Sequence, residues 1–207
     1  PPVIADICAR IKEIPMPDAN PAALDFLLTR QSVSAKTLRP PVPSRAELET
    51  MLTAAARVPD HGGLAPWRFI VLERPALERL ARIAAARGAA LGYDAEKIGK
   101  GEGQFARSSL AVAVIASPAI SEKAPEVEQT LSTGAACVSL VNAALASGWG
   151  AAWITGWPAF DRGFAEEALS LAPQEWVAGF VHMGTPGSAV GDRPRPALDR
   201  IVTWVAA

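Results

Sequence analysis

The chain has 207 residues, and its 20 lysines and arginines against 21 aspartates and glutamates give a formal net charge of -1. Half of the residues are hydrophobic, which is enough to bury the core of one domain without disulfide or metal crosslinks. The near-neutral charge argues against nucleic-acid binding, because phosphate backbones are held by clustered lysine and arginine side chains.

The secondary structure follows from turn residues and from the spacing of apolar positions. Residues 1–20 predict an irregular N-terminal arm, and residues 21–207 predict a single domain. In chain order the patterns predict a helix at 21–29, a helix from Ser44 that ends before Pro59, a strand at 68–73, a helix from Pro75, a mobile and partly helical excursion at 88–107, a strand at 109–117, a helix at 126–147, a strand at 149–155, a helix at 162–171 and strands at 176–184 and 201–205. Because helices and strands are interleaved and no repeat is visible, the fold class is α+β.

Two of these helices carry specific signals. Ser44 and Glu47 form the S-x-x-E pattern of a capping box, which marks the start of a helix. In the helix that begins at Pro75, Glu78 and Arg82 stand four residues apart and predict a surface ion pair.

The longest uncharged stretch, from Gln129 to Phe160, has to be weighed as a membrane span. It consists mostly of Ala, Gly, Ser and Thr, whereas a span needs about 20 predominantly apolar residues. We therefore expect a buried helix and no membrane segment.

The two cysteines, Cys8 and Cys137, are far apart in the sequence, so they do not predict a disulfide framework. With two histidines in the chain, they do not predict a zinc site either. This use of cysteine favours a cytoplasmic compartment.

Residues able to bind a ligand lie at the junctions between predicted elements. The sequence contains no P-loop, no G-x-G-x-x-G after a strand, no H-E-x-x-H and no G-x-S-x-G. Singly, the junction residues have ordinary explanations: Arg57 complements a helix dipole, and His61 lies in a surface turn. Together, the arginines suggest a polyanionic ligand, since guanidinium groups match phosphate oxygens. The junction residues are Arg30, Ser32, Arg57, Asp60, His61, Trp153, Ile154, Thr155, Arg193 and Arg195.

Five segments along about residues 22–205 form an ordered set of motifs. They are Thr29-Arg30-Gln31-Ser32, similar to R-R-S; Ala56 to His61 followed by Ala65-Pro66-Trp67-Arg68-Phe69, similar to A-P-(S/D)-x-x-x-x-Q-P-W-x-F; Ala151 to Gly156, similar to G-G-x-W-x-(S/T)-G; Gly179 to Pro186, similar to G-(F/Y)-x-x-x-G-T-P; and the basic tail Arg193-Pro194-Arg195-Pro196. This set resembles the FMN-dependent nitroreductase family. More closely it resembles the short, single-domain bacterial NAD(P)H nitroreductases that carry the variant R-x-P-D-H.

The resemblance implies a fold, an assembly and a set of cofactor contacts. The implied fold is a three-layer α/β/α sandwich with a mixed, mainly antiparallel central sheet, in a domain-swapped homodimer with two FMN sites at its interface. The implied contacts with the FMN phosphate and ribityl chain come from Arg30, Gln31 and Ser32, with Arg193 and Arg195 also at the phosphate. The implied contacts with the isoalloxazine ring come from Trp153, Ile154 and Thr155. Arg57 and His61 are also implied to reach FMN, His61 from the partner chain.

The implied activity is the two-electron reduction of nitroaromatics, quinones or similar acceptors by NAD(P)H, with ping-pong hydride transfer through the flavin. No residue is assigned as catalytic acid or base, and no metal site is predicted.

The chain departs from the family pattern at two positions of the predicted site. Gln31 replaces an arginine at the phosphate, and Ile154 stands where relatives often carry arginine. The alternatives are a related flavoenzyme with dehalogenase or dehydrogenase activity, a non-enzymatic flavin carrier or sensor, and a flavin-free interaction domain.

Overall fold

The computed structural model of the chain describes residues 18–189 and 191–206. Most of the predicted N-terminal arm, including Cys8, therefore lies outside the described residues. Backbone contacts divide the chain into two units, Pro1–Arg30 and Gln31–Ala207. The assignment of residues 21–207 to one domain stays a prediction.

The first unit contains helix α1 (Pro21–Thr29), which begins and ends where the sequence predicts. Pro21 occupies the first helical position, where the N–H that proline lacks would have no helical partner. The Asn20 side-chain oxygen accepts the Ala23 backbone N–H at 3.0 Å and caps the helix.

The second unit contains helices and strands in the predicted order up to residue 186. The helices are α2 (Arg45–Ala55), α3 (Arg74–Ala90), α4 (Ala95–Ala106), α5 (Glu126–Ala146) and α6 (Arg162–Leu169). The strands are β1 (Leu38–Arg39), β2 (Trp67–Glu73), β3 (Leu110–Ala116), β4 (Gly150–Ile154) and β5 (Trp176–Pro186). Short 3-10 turns lie at Ala35–Thr37, His61–Gly63, Trp157–Phe160 and Leu198–Arg200.

Strand β5 is the centre of the sheet. It pairs with β3, with β4 and, at its end, with β1, while β2 pairs with β3. Every pairing between described strands is antiparallel, so the predicted α+β fold is confirmed, without a parallel pair among those strands. The register between β3 and β5 shifts so that Val114 lies opposite Gly179 and Ile115 opposite Val177, which leaves Ala178 as the extra residue of a β-bulge.

The sheet has a hydrophobic core on each face, and alternate residues of β3 serve one core or the other. Ala111, Ala113 and Ile115 face the core that α3, α4 and α6 cover. Leu110, Val112 and Val114 face the core that α2 and α5 cover. Because β3 is buried on both sides, its sequence is apolar throughout, and the second unit has the expected helix, sheet and helix layers.

The predicted capping box at the start of α2 is present. The Glu47 carboxylate accepts the Ser44 backbone N–H at 2.8 Å, and the Ser44 hydroxyl accepts the Glu47 N–H at 3.4 Å. The helix then buries Leu48, Met51 and Ala55 at the predicted spacing.

For residues 88–107 the prediction of partial helix is confirmed, but the segment is packed on the domain and is not an excursion from it. Most of this segment is helix α4, which packs along α3 and buries Phe105 completely against Phe164 and Phe180. Its glycines misled the sequence reading, since each costs roughly 1 kcal/mol in a helix. At Gly101 the missing side chain leaves room for Trp157, whose indole packs directly against the glycine backbone.

Two smaller predictions are also corrected. Glu78 pairs with Arg74, four residues before it, at 2.8 Å instead of with Arg82. No strand forms at residues 201–205 within the described chain, where a 3-10 turn at Leu198–Arg200 is followed by irregular backbone with exposed apolar side chains.

Among the described helices, none combines the length and hydropathy that a membrane crossing requires. The described residues also contain no cluster of three or more histidine, cysteine, aspartate or glutamate side chains able to hold a metal ion. Cys137 is free and buried in α5, where burial raises the pKa of its thiol to about 12.

Candidate functional site

The predicted ring-binding residues lie at the end of β4. Trp153 is fixed there, because its indole N–H donates to the Ala178 carbonyl, the bulge residue of β5, at 3.1 Å. The indole also lies over Gly179, where an added Cβ would overlap its nitrogen. Ile154 and Thr155 follow as half-buried residues. The bulge and a glycine in β5 thus set the position of the tryptophan on β4.

A cavity of about 510 Å³ opens beside this strand end, between β4, α4 and the turn at Ala35–Thr37. We refer to it as the β4–α4 cavity. Ile154 and Gly156 form its wall on the β4 side. Polar side chains from the other two elements line the rest, namely Lys36, Glu96, Lys100, Gln104 and Arg107.

Gln104 is one of the residues that line this cavity, and its side chain carries an unused hydrogen-bond donor. Its side-chain nitrogen is buried and has no hydrogen-bond partner among the described residues. Burying an amide without a partner costs roughly 1–3 kcal/mol, so such a group in a cavity wall suits a ligand that supplies an acceptor. The Gln104 amide lies against Gly156, whose φ of +67° is a backbone conformation that favours glycine.

The charge of the β4–α4 cavity is positive. Lys100 is paired with Glu96 at 2.6 Å, but Lys36 and Arg107 make no ion pair with a described residue. The guanidinium of Arg107 lies over Gly103, where a Cβ would displace it. Two cations without counter-ions at a cavity rim favour an anionic or electron-rich ligand.

The segment that the sequence assigns to the phosphate divides between the two units. Arg30 ends the first unit, while Gln31 and Ser32 begin the second. In the second unit the Val33 N–H donates to the Ala151 carbonyl of β4 at 2.9 Å and holds this segment on the strand. The Gln31 side-chain oxygen is buried without a hydrogen-bond partner among the described residues, and Ser32 is exposed.

Arg57 and His61 lie beyond the C-terminal end of α2. Arg57 is exposed, and its guanidinium makes no hydrogen bond or ion pair with a described residue. His61 is also exposed, and its Nδ1 lies 2.8 Å from a carboxylate oxygen of Glu128 in α5. Neither residue lines the β4–α4 cavity.

Arg193 and Arg195 lie in the exposed C-terminal tail. Arg195 contacts Asp192 at 3.4 Å, and the Arg193 N–H donates to the same carboxylate at 2.8 Å. No hydrogen bond or ion pair between described residues joins either arginine to the β4–α4 cavity. The structure therefore brings only Ile154, of the ten predicted residues, to the cavity wall, with Trp153 and Thr155 as its direct neighbours.

Sequence reasoning missed the polar lining of the cavity, Lys36, Gln104 and Arg107. Gln104 lies in α4 and Arg107 caps its C-terminal end, and the sequence contains a signal for the start of this helix. Asp94 is a helix-capping residue, and its carboxylate accepts the Lys97 N–H at 2.7 Å. From that start, Lys100, Gln104 and Arg107 fall on one helical face at spacings of four and three.

Comparison with known proteins agrees with this architecture. The family model described as "Nitroreductase family" matches residues 27–185. The Escherichia coli (strain K12) protein named "Putative NAD(P)H nitroreductase YdjA" is 33% identical over 164 residues, covering 79% of this chain and 88% of that protein.

Solved structures share the fold at lower sequence identity. A nitroreductase-like family protein from Bacillus cereus has a TM-score of 0.73 at 17% identity, covering 92% of this chain and 99% of that one. The FMN-dependent nitroreductase from Clostridium difficile R20291 has a TM-score of 0.64 at 18% identity, covering 87% of this chain and 98% of that one.

Proposed function

The chain belongs to the nitroreductase family of oxidoreductases, and from this membership we propose that it uses FMN to transfer electrons from NAD(P)H to nitroaromatics, quinones or similar acceptors. The observation that carries the proposal is the β4–α4 cavity, where Gln104 presents a donor without a partner beside the Trp153-Ile154-Thr155 motif. The names of the Escherichia coli relative and of the Clostridium difficile structure, which specify an NAD(P)H nitroreductase and FMN dependence, support it.

The residues of the cavity fit an isoalloxazine ring. The ring has carbonyl oxygens and ring nitrogens that accept hydrogen bonds, and the Gln104 side-chain nitrogen is a donor without a partner. Ile154 supplies apolar contact, and Gly156 leaves room where a side chain would crowd the amide. Lys36 and Arg107 supply positive charge for the electron-rich parts of the cofactor.

The phosphate end is proposed from the resemblance and from one further observation. Gln31 and Ser32 follow the motif of the family, and the buried Gln31 oxygen without a partner suits a hydroxyl group of the ribityl chain. Arg30, Arg193 and Arg195 remain proposed phosphate ligands, since guanidinium groups bind phosphate oxygens in pairs.

We further propose that the protein acts as a homodimer and that its second copy completes each site. One face of α5 exposes Val127, Leu131 and Val138, although half of the helix is buried against its own core. The tail exposes Ile201 and Trp204 in the same way. Apolar side chains grouped on an unpaired helix face are typical of a subunit interface. In such a dimer His61 would reach the FMN of the partner, and Arg57 is also proposed to contact FMN.

When bound, FMN accepts a hydride from NAD(P)H and passes two electrons to the second substrate, which gives ping-pong kinetics. The chain's own residues bind and orient the two substrates in turn and exclude water. His61 is the candidate to supply a proton to the acceptor, which its free Nε2 could do only when the ring is doubly protonated. A His61→Ala variant with unchanged turnover would show that solvent supplies it instead. The cysteine content favours the cytoplasm as the site of action.

Steady-state turnover tests the proposal. The FMN-loaded protein should oxidise NADPH or NADH rapidly only when a nitroaromatic or a quinone is present, and double-reciprocal plots at several acceptor concentrations should be parallel. A protein that binds FMN but oxidises neither nucleotide would be a carrier or sensor. A protein that oxidises the nucleotide but reduces only a halogenated substrate would be a dehalogenase.

A further inference from the structure

The loop that carries His61 is fastened to α5 by side chains of that helix. The Ser132 hydroxyl donates to the Pro59 carbonyl at 2.6 Å and accepts the Trp67 indole N–H at 3.1 Å. One residue further along α5, the Thr133 hydroxyl donates to the Pro66 carbonyl at 3.1 Å. Both ends of the loop are thus fixed to buried polar groups of the helix.

The loop is also braced from within. The Asp60 carboxylate accepts the backbone N–H groups of Leu64 and Ala65 at 3.0 and 2.8 Å. Ala65 has a φ of +45°, an unfavourable conformation for a residue with a Cβ, and the hydrogen bond to Asp60 holds it there. A loop constrained at both ends and in the middle presents His61 in one place.

Among the described residues, the imidazole of His61 has one hydrogen-bonding partner. Its Nδ1 lies 2.8 Å from the Glu128 carboxylate, which can only accept a hydrogen bond when ionised. The proton of a neutral ring is therefore on Nδ1, and Nε2 carries the lone pair. The pair lines a recess of about 300 Å³ beside Leu131, on the exposed α5 face proposed as the dimer interface.

We propose that Glu128 is a positioning residue that fixes the tautomer and orientation of His61 and keeps its Nε2 free for the flavin of the partner subunit. The inference rests on the proposed function, because it assumes that His61 meets FMN across a dimer. Glu128 does not touch the cofactor in this account. It acts through the imidazole, as outer-shell carboxylates orient histidines in other sites.

The presence of an acidic residue at position 128 also has an ordinary explanation, and the test must distinguish it from a role in positioning His61. It lies in the first turn of α5, where an acidic side chain stabilises the positive end of the helix dipole. Glu126 lies in the same turn and makes no hydrogen bond or ion pair with a described residue. Glu126→Ala therefore removes the dipole interaction alone, and Glu128→Ala removes the contact with His61 as well.

Nitrogen-15 NMR of the histidine rings reads the tautomer directly and does not depend on bound flavin. The chain has only two histidines, so the spectrum is simple. His182, whose Nδ1 lies 2.8 Å from the Ser108 hydroxyl in the core, is the internal control. At alkaline pH we expect His61 to be protonated on Nδ1 in the wild type and in Glu126→Ala, and mainly on Nε2 in Glu128→Ala. An unchanged His61 tautomer in Glu128→Ala would overturn the proposal.

A double-mutant cycle on FMN affinity tests whether Glu128 affects flavin binding through His61. Loss of one hydrogen bond worth about 1 kcal/mol corresponds to roughly fivefold weaker binding, which we expect for Glu128→Ala and His61→Ala alike. The double variant should be no worse than His61→Ala, whereas two additive losses would contradict coupling. Glu128→Gln should restore most of the affinity, because an amide oxygen also accepts the Nδ1 proton.

FMN binding and the His61 tautomer can be affected independently. If the wild type binds no FMN while the NMR result holds, the proposed function is wrong and the Glu128–His61 geometry stands. If FMN binds with wild-type affinity in Glu128→Ala, the proposed function stands and the positioning role is wrong.

Discussion

Among single residues, Gln104 ties the cavity to a ligand most directly. Its side-chain nitrogen is buried without a partner, although almost all buried polar groups in proteins are hydrogen-bonded. A buried amide without a partner lowers the stability of the fold, and a ligand that supplies an acceptor would remove that cost. Stability and binding should consequently respond to its loss in opposite directions.

Replacing Gln104 with leucine tests this reasoning. Leucine keeps most of the volume and removes the amide, so we expect FMN to bind roughly fivefold to tenfold more weakly. The thermal stability of the flavin-free protein should stay the same or rise. Fluorescence titration and thermal unfolding measure the two effects, with Glu102→Gln on an exposed position of the same helix as the control. Unchanged FMN affinity would remove Gln104 from the site.

Replacing Gly179 tests whether close packing against β5 holds the Trp153 indole in place. An alanine Cβ at position 179 would overlap the indole nitrogen and break its hydrogen bond to Ala178, so Gly179→Ala should cost roughly 1–3 kcal/mol of unfolding free energy. Gly99→Ala is the matched control, because a Cβ there meets nothing within 4 Å and the position is helical. The control should be neutral or stabilising by about 0.5–1 kcal/mol in urea unfolding. Equal effects of the two substitutions would contradict the tight packing.

Among the elements, β2 is joined to Glu175, the residue just before β5, by an ion pair whose carboxylate side is buried. Arg68 of β2 donates through Nε and Nη2 to both carboxylate oxygens of Glu175, at 2.6 and 2.7 Å. The carboxylate is 7% exposed, and the hydrogen bonds from Arg68 lower the pKa of Glu175 to about 2. This pair locks the start of β5, which carries the bulge under Trp153.

The pair should make stability depend on pH in a defined direction. Because the pKa of Glu175 is lowered by folding, its contribution is complete above the usual value near 4.5 and is lost as the pH falls towards 2. Glu175→Gln should therefore cost about 2 kcal/mol at pH 7, and the difference from wild type should shrink below pH 4. Chemical unfolding at several pH values measures this. Glu49→Gln, in an exposed pair with Arg45, should cost well under 1 kcal/mol at each pH.

Most elements were readable from the sequence because their signals are local. Ser44 with Glu47, Pro21 after Asn20 and the apolar run of β3 each indicate an element within a few residues. The cavity lining was not readable, since Gln104 and Gly156 meet only after α4 has packed near the end of β4. The strand predicted at residues 201–205 does not form for another reason. A strand needs hydrogen bonds from a neighbouring strand, and none of the described strands pairs with these residues.

For the whole molecule, the exposed face of α5 is the surface through which the proposed dimer would complete the site. Val127, Leu131 and Val138 recur at spacings of four and seven, which places them on one side of the helix. The motif residues Arg57 and His61 lie outside the β4–α4 cavity. A second copy packed on this face accounts for both facts.

Leu131→Glu tests the dimer. A charge in the centre of the proposed interface should give monomers in analytical ultracentrifugation and should reduce FMN binding by tenfold or more. Ile120→Glu, which changes an exposed apolar residue outside α5, should leave both the mass and the affinity unchanged. Full FMN binding by a monomeric Leu131→Glu variant would contradict a shared site.

The proposed function requires that the chain bind FMN and that NAD(P)H reduce the bound flavin. The visible absorption spectrum of the purified protein, supplied with FMN and then mixed with NADPH or NADH without oxygen, tests this in one measurement. We predict flavin bands that differ from those of free FMN and that bleach when a nucleotide is added. Bands that persist with both nucleotides would contradict the proposed electron donor, and a protein that takes up no FMN would contradict the account of the cavity.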